Sequence, residues 1–267
     1  MSSLYENLTE AKPFFLIAGP CVVEEESLML RTAETLKKLC LKKGIALVFK
    51  SSYRKANRSN FSSPSGPGTL KGLETLYKIK TELKLPVLSD IHECAEVTAA
   101  AEVCDVLQIP AFLSRQTELI QAAALSGKIV NIKKGQFMAP EDMQSAALKA
   151  ASKGNEQIML CERGSSFGYH NLIVDFRGFS IMNSFGYPVV YDVTHSLQRP
   201  SQGLTSGGNP EYAAMMARAA IATGMVHGLF IETHPDPIRA LSDASSMLPL
   251  HEMETLLDSC LKIAEAL

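Results

Sequence analysis

The stretch KSSYRKANRSN (50–60) carries four cations, Lys50, Arg54, Lys55 and Arg58, and no acid, in a chain whose net charge is −2. Arginine offers phosphate or carboxylate a planar fork and lysine a compact charge, so such a cluster suits an anionic ligand. Lys133 and Arg163 follow other apolar runs, IVNI and QIMLC. A second set differs in chemistry: Cys21, His195, Glu232 and Asp243. Thiolate, imidazole and carboxylates together suit a divalent transition ion. Spacing groups neither set. A charge run is usually a solvated loop, exposed ion pairs are mostly idle, and a lone cysteine usually packs as a small hydrophobe. Which reading holds depends on the elements that position these residues.

Short apolar runs alternate with helical patterns along the chain. Strands are expected at 14–19, 46–51, 86–91, 106–111, 129–134, 157–162, 189–194 and 228–233. Helices are expected at 24–43, 68–84, 93–103, 115–126, 140–153, 171–185, 210–223 and 249–266. Strands apolar on both faces suit a parallel sheet covered by helices. Eight such pairs predict an α/β fold, a (β/α)8 TIM barrel, as a single domain over 1–267 with 1–13 as an N-terminal extension. An open doubly wound sheet fits less well, because no G-x-G-x-x-G follows any strand. The Gly/Ser/Pro-rich pieces 62–68 and 198–210 read as long loops after strands, the second as a lid.

The six cysteines form no C-x-x-C pair and read as reduced thiols. The N-terminal segment lacks a basic region before its short apolar run, and no run approaches a membrane span. A cytoplasmic protein without membrane association is expected. A pI near 6.3, no tryptophan and one aromatic (Tyr53) in the basic stretch argue against nucleic acid as a partner.

In a (β/α)8 barrel the active site lies at the carboxyl ends of the strands. There the sequence offers Cys21; Lys50; Asp90 and His92; Gln108; Lys133 and Lys134; Glu162 and Arg163; Asp192 and His195; Glu232 and His234. All eight strands thus send a polar group to one rim. A lysine ending a barrel strand also suits a Schiff-base aldolase, with Lys133 or Lys134 as the amine.

Read together, the strand-end motifs IAGPC (17–21), FKSSYRKANRS (49–59), SDIHE (89–93), VNIKKGQF (130–137), YDVTHS (191–196) and ETHPDP (232–237) closely resemble those of the 3-deoxy-D-manno-octulosonate 8-phosphate synthases (KDO8P synthases). KANRS discriminates best, since the related DAHP synthases, which use erythrose 4-phosphate, typically carry a KPRTSP-like sequence there. The resemblance implies a homotetrameric transferase that condenses phosphoenolpyruvate with D-arabinose 5-phosphate for lipopolysaccharide biosynthesis. By motif, Lys133 and Arg163 would hold the phosphoenolpyruvate phosphate, with Lys55, Ser52 and Gln108 around its carboxylate. Lys50 would sit at the reacting enol, and Asp90 would line the substrate site. Asn57, Arg58 and Ser59 would position the sugar, and Arg115 would reach its phosphate from a neighbouring subunit. Cys rather than Asn at position 21, with His195, Glu232 and Asp243 matched, implies the metal-dependent branch. One Zn, Fe, Mn, Co or Cd ion per subunit would fit. Met247 departs from the Gln that metal-dependent relatives often carry nearby.

Overall fold

The computed structural model describes residues 2–57, 62–200 and 207–267. Its centre is a closed parallel barrel of β1 (Phe15–Gly19), β2 (Leu47–Lys50), β3 (Val87–Asp90), β4 (Val106–Ile109), β5 (Ile129–Lys133), β6 (Ile158–Glu162), β7 (Val189–Asp192) and β8 (Gly228–His234), each beside the next, with β8 pairing back onto β1. Every residue of these strands is buried. That agrees with the two-faced apolar pattern and with the expected barrel.

Outside the barrel lie α2 (Glu26–Lys43), α3 (Thr69–Leu83), α4 (Val97–Val103), α5 (Thr117–Leu125), α6 (Asp142–Ala151), α7 (Arg177–Asn183), α8 (Ala213–Ala222) and α9 (Met253–Ala264). α2 ends where Gly44 turns left-handed at φ 66°, and the Gly44 N–H closes onto the Cys40 and Leu41 carbonyls. The outer core packs α2 through Met29, Ala33 and Leu36 against strand residues such as Leu16 and Phe49.

The N-terminal extension contains a helix, α1 (Leu4–Thr9), capped by Ser3: its Oγ accepts from Glu6 N at 3.2 Å, and Glu6 Oε2 accepts from Ser3 N at 2.7 Å. Leu8 joins the barrel-interior cluster with Phe15, Val106 and Ile129, and Tyr5 donates to the Ile158 carbonyl at 2.9 Å. α1 therefore covers the amino end of the barrel, leaving the carboxyl end as the open mouth.

One expected helix is largely corrected. Over 171–185 only Arg177–Asn183 is helical. Leu172–Ile173 instead pairs antiparallel with Ser165–Ser166, closed by a turn in which His170 takes φ 55° and Phe167 N donates to the Asn171 carbonyl at 3.2 Å. Ser166 N also donates to the Gln136 carbonyl at 2.8 Å, so pairing between loops takes up backbone groups that a helix would have used.

Gly19 shows how tightly the mouth is built. A Cβ there would lie 2.1 Å from the Lys50 carbonyl oxygen, which belongs to backbone and cannot swing aside. Gly19→Ala should lower stability by about 1–3 kcal/mol through overpacking and displace Lys50, measured by urea unfolding. An unchanged unfolding midpoint would show that the β1–β2 approach is looser than described.

Candidate active site

The strand ends deliver their charges to one mouth, which opens into a cavity of ≈ 590 Å³ lined among others by Lys55, Asn57, Asp90, Lys133, Arg163, His195 and Asp243. The polar groups fall into two coupled halves.

On the cationic side, Lys133 at the end of β5 donates to Asp192 Oδ2 at 2.6 Å and lies 3.9 Å from the centroid of the Phe230 ring. Burial alone would lower its pKa, but the Asp192 carboxylate and other nearby anions hold it above the usual lysine range. Phe230 belongs to the barrel-interior cluster, so its ring separates the apolar core from this charge layer. Arg163, just past β6, donates through Nη2 to Gln198 Oε1 at 2.8 Å and to the His195 carbonyl at 3.3 Å. It is 4% exposed, and its Nη1 finds no hydrogen-bond partner among the described residues. Lys55 lies 3.8 Å from Asp90 Oδ2. Burial would raise the Asp90 pKa, but Lys55, Lys50 and Lys133 hold it well below the carboxylate range.

The opposite side gathers the four residues of the metal-ligand set. Ligand atoms of Cys21, Glu232 and Asp243 all lie within 4.8 Å of one another. Cys21 Sγ is 3.3 Å from Asp243 Oδ2, and His195 Nε2 is 3.5 Å from both Glu232 Oε2 and Asp243 Oδ2. Glu232 also pairs with Lys50, whose Nζ donates to the Cys21 carbonyl at 3.0 Å. Glu232 Oε2 is buried and accepts no hydrogen bond among the described residues. Burial, then Asp243 and Glu232, push the Cys21 thiol well above the ordinary cysteine range. A cation held here would reverse that effect, give Glu232 Oε2 a partner and stabilise the thiolate. The donor set therefore fits a divalent ion.

Asp192 joins the halves. It accepts from Lys133, caps the one-turn helix Val193–Ser196 by accepting from His195 N at 2.9 Å, and lies 2.8 Å from His195 Nδ1. That contact fixes which imidazole nitrogen turns toward Glu232 and Asp243. D-V-T-H is the spacing of an Asp N-cap with a histidine at its third helical position, and in hindsight it is the signal for this bridging role.

Several expected site residues sit elsewhere than on the cavity wall. Ser52 and Gln108 are buried and both donate to Asp90. Asn131 in turn donates to Gln108 Oε1 at 2.8 Å. Arg115 is exposed, and its backbone carbonyl accepts from Lys149 Nζ at 2.8 Å. Arg58 and Ser59 lie outside the described residues, as do 201–206 of the expected lid, whose ends Gln198–Arg199 and Gly207–Gly208 pair antiparallel. Two strand-end groups are corrected: Lys134 and Glu162 do not line the cavity but pair with each other at 3.5 Å, each being the chain neighbour of a cavity-facing cation, Lys133 or Arg163, where strand alternation at the ends of β5 and β6 turns it to the other side. His234 likewise turns from the cavity, its Nε2 3.5 Å from Glu24 Oε2.

The chain matches the family described as DAHP synthetase I over residues 8–267. It is 57% identical over 246 residues to a 2-dehydro-3-deoxyphosphooctonate aldolase of Acidithiobacillus ferrooxidans, covering 92% of this chain and 87% of that protein. Proteins of the same name from Variovorax paradoxus and Trichlorobacter lovleyi are each 55% identical, over 259 and 243 residues, covering 94% and 91% of this chain and 90% and 89% of theirs. With a matched span that takes in all eight barrel strands and both halves of the mouth, the chain belongs to the DAHP synthetase I family.

Proposed function

We propose that this chain condenses phosphoenolpyruvate with D-arabinose 5-phosphate and water to give 3-deoxy-D-manno-octulosonate 8-phosphate and phosphate, the activity of a KDO8P synthase. The observation that carries the reading is Arg163, a buried cation on the cavity wall with an unpartnered Nη1. Asp192 and Asp243 act on its charge only from beyond ion-pair distance, and an anionic substrate would engage the guanidinium directly. The names of the three relatives agree.

In this reading Arg163 and Lys133 hold the phosphoenolpyruvate phosphate. Lys55 balances its carboxylate, while Ser52 and Gln108 hold Asp90 behind it. Lys50 faces the enol carbon, and Asn57, Arg58 and Ser59 take the sugar. Arg115 reaches the sugar phosphate from a second copy in a homotetramer, which agrees with its exposure on its own subunit. C3 of phosphoenolpyruvate forms a bond to the aldehyde carbon, whose oxygen takes a proton. Water adds at C2, the C2–O bond to phosphate breaks, and a ketone and inorganic phosphate result. The cations offset charge, and holding both substrates in register supplies much of the rate.

Cys21, His195, Glu232 and Asp243 would hold one divalent ion, and we assign the chain to the metal-dependent branch on that basis. When bound, such an ion supplies Lewis acidity for an oxygen of the sugar or of water. The choice among Zn, Fe, Mn, Co and Cd rests with supply. No helix among the described residues is long and apolar enough to cross a membrane, and we place the enzyme in the cytoplasm acting on small molecules, without nucleic acid.

A Schiff-base route is disfavoured. Lys133 is held as an ammonium by Asp192, and Lys134 Nζ is enclosed by Ser165 Oγ at 2.9 Å and the Met138 carbonyl at 3.2 Å. Neither presents a free amine.

The test is to offer arabinose 5-phosphate and erythrose 4-phosphate in parallel with phosphoenolpyruvate and to identify products by NMR. An eight-carbon 3-deoxy sugar acid phosphate from the pentose supports the reading; preferential turnover of erythrose 4-phosphate would overturn it. Asp192→Asn, which keeps size but removes the charge orienting Lys133 and His195, should lower turnover about 10–100-fold with the fold intact by circular dichroism. Turnover within twofold of the parent would remove Asp192 from its bridging role.

A further inference from the structure

Lys134 and Glu162 are a buried ion pair that the chemistry above does not use. Both are buried, at 0% and 2% exposure, and neither lines the cavity. Isolated charges do not persist in such a place, so each must be answered locally. Lys134 Nζ reaches two loops. From the β5 loop it meets the carbonyls of Gly135 at 3.4 Å and Met138 at 3.2 Å; from the β6 loop it meets the carbonyl of Gly164 at 3.5 Å and Ser165 Oγ at 2.9 Å. Glu162 Oε1 lies 3.5 Å from Lys134 Nζ and accepts from Gly164 N at 2.6 Å. The backbone is fixed at the same point, where Lys134 N donates to the Cys161 carbonyl at 2.7 Å.

Each member is the chain neighbour of a residue that faces the cavity. Lys133 precedes Lys134, and Arg163 follows Glu162. Successive side chains on a strand point to opposite faces. The pair therefore lies behind the two cations, where one side chain ties both of their loops together. An ammonium bonded to carbonyls of both loops sets the distance between them. It does so just beyond the β5–β6 ladder, which pairs Lys133 with Cys161, and so bears on the separation of Lys133 and Arg163.

We propose that Lys134 and Glu162 are positioning residues which hold Lys133 and Arg163 at the spacing required to grip one phosphate group. This rests on the reading that those two cations bind the phosphoenolpyruvate phosphate. The effect is selective, because the described contacts of Lys134 and Glu162 lie in the β5 and β6 loops, whereas the sugar's binding groups come from the β2 loop and from Arg115.

The experiment compares Lys134→Met, Ser165→Ala and Arg163→Ala with the parent enzyme. KM for phosphoenolpyruvate, KM for arabinose 5-phosphate and kcat are measured on protein shown to be folded by circular dichroism. The expected result for Lys134→Met is a rise of tenfold or more in the phosphoenolpyruvate KM, with the sugar KM within twofold. Ser165→Ala removes one Lys134 partner without leaving a buried charge unpaired. It should shift the same constant in the same direction by a few-fold, and it carries the test if Lys134→Met does not fold. Lys134→Arg, which keeps the charge, should recover part of the loss. A purely structural pair would lower the melting temperature and the active fraction with both KM values unchanged, and that result overturns the proposal. Arg163→Ala separates the two claims. If it leaves the phosphoenolpyruvate KM unchanged, the phosphate assignment fails; if it raises that KM while folded Lys134→Met and Ser165→Ala do not, the positioning proposal alone fails.

Discussion

Arg163→Ala should lower kcat/KM for phosphoenolpyruvate by about 10²–10³-fold. Truncating one partner of a buried, hydrogen-bonded charge pair costs about 2–5 kcal/mol, and about 1.4 kcal/mol corresponds to each factor of ten. The cost falls mainly on the complex. In the free protein Arg163 has a carbonyl and a side-chain amide oxygen as partners and an orphaned Nη1, with no carboxylate in salt-bridge range among the described residues. Its removal gives up two hydrogen bonds and relieves the burial of a guanidinium that Asp192 and Asp243 answer only from beyond ion-pair distance. The melting temperature should move little compared with the kinetic loss, as expected where a site holds strain for function. Arg163→Lys should recover only part, since a point charge cannot replace a fork on a phosphate. Steady-state phosphate release with phosphoenolpyruvate varied gives the constants. An unchanged constant in folded Arg163→Ala would remove the anion from this wall of the cavity.

Prolonged chelation should abolish turnover to about 10²-fold or more below the parent, on the several kcal/mol that a bound Lewis acid contributes. Adding Mn²⁺, Zn²⁺, Fe²⁺, Co²⁺ or Cd²⁺ should restore at least part. The sequence of causes lies in Cys21. Burial and the neighbouring Asp243 and Glu232 carboxylates raise its pKa, so the thiol keeps its proton until a cation offsets them. Ion uptake therefore releases a proton, and affinity should rise with pH over the range where the free protein holds that proton. Cys21→Ser should weaken uptake of the softer ions most, because it removes the thiolate and leaves imidazole and carboxylates. Full turnover in rigorously metal-free protein would contradict the assignment of these four residues.

Legibility differed between the barrel and its rim. The strands were readable because a parallel sheet covered by helices needs runs apolar on both faces, as FLIAG and VVY are. The end of α2 was readable from Gly44, which caps it in the left-handed conformation. The stretch 171–185 misled because Leu172, Ile173 and the residues around them fit a helical period, whereas His170 turns the chain into a hairpin that strand pairing with Ser165–Ser166 then secures. Among site residues, identity at a strand end was readable and facing was not. Lys133 and Lys134 are chemically equal in sequence, and only the alternation of β5 sends one to the cavity and the other behind it. Asp192 was readable as a strand end but not as the bridge between Lys133 and His195, since that requires β5 and β7 to approach across the barrel.

Two buried atoms of the mouth have no hydrogen-bond partner among the described residues, Arg163 Nη1, which an anion would answer, and Glu232 Oε2, which a cation would answer. The direct measurement is phosphate release from phosphoenolpyruvate, with and without arabinose 5-phosphate, before and after removal of metal. The predicted result is release that requires the sugar and disappears with the metal. Release that is indifferent to arabinose 5-phosphate, or that persists in full without metal, would contradict the joining of these two halves into one catalytic site.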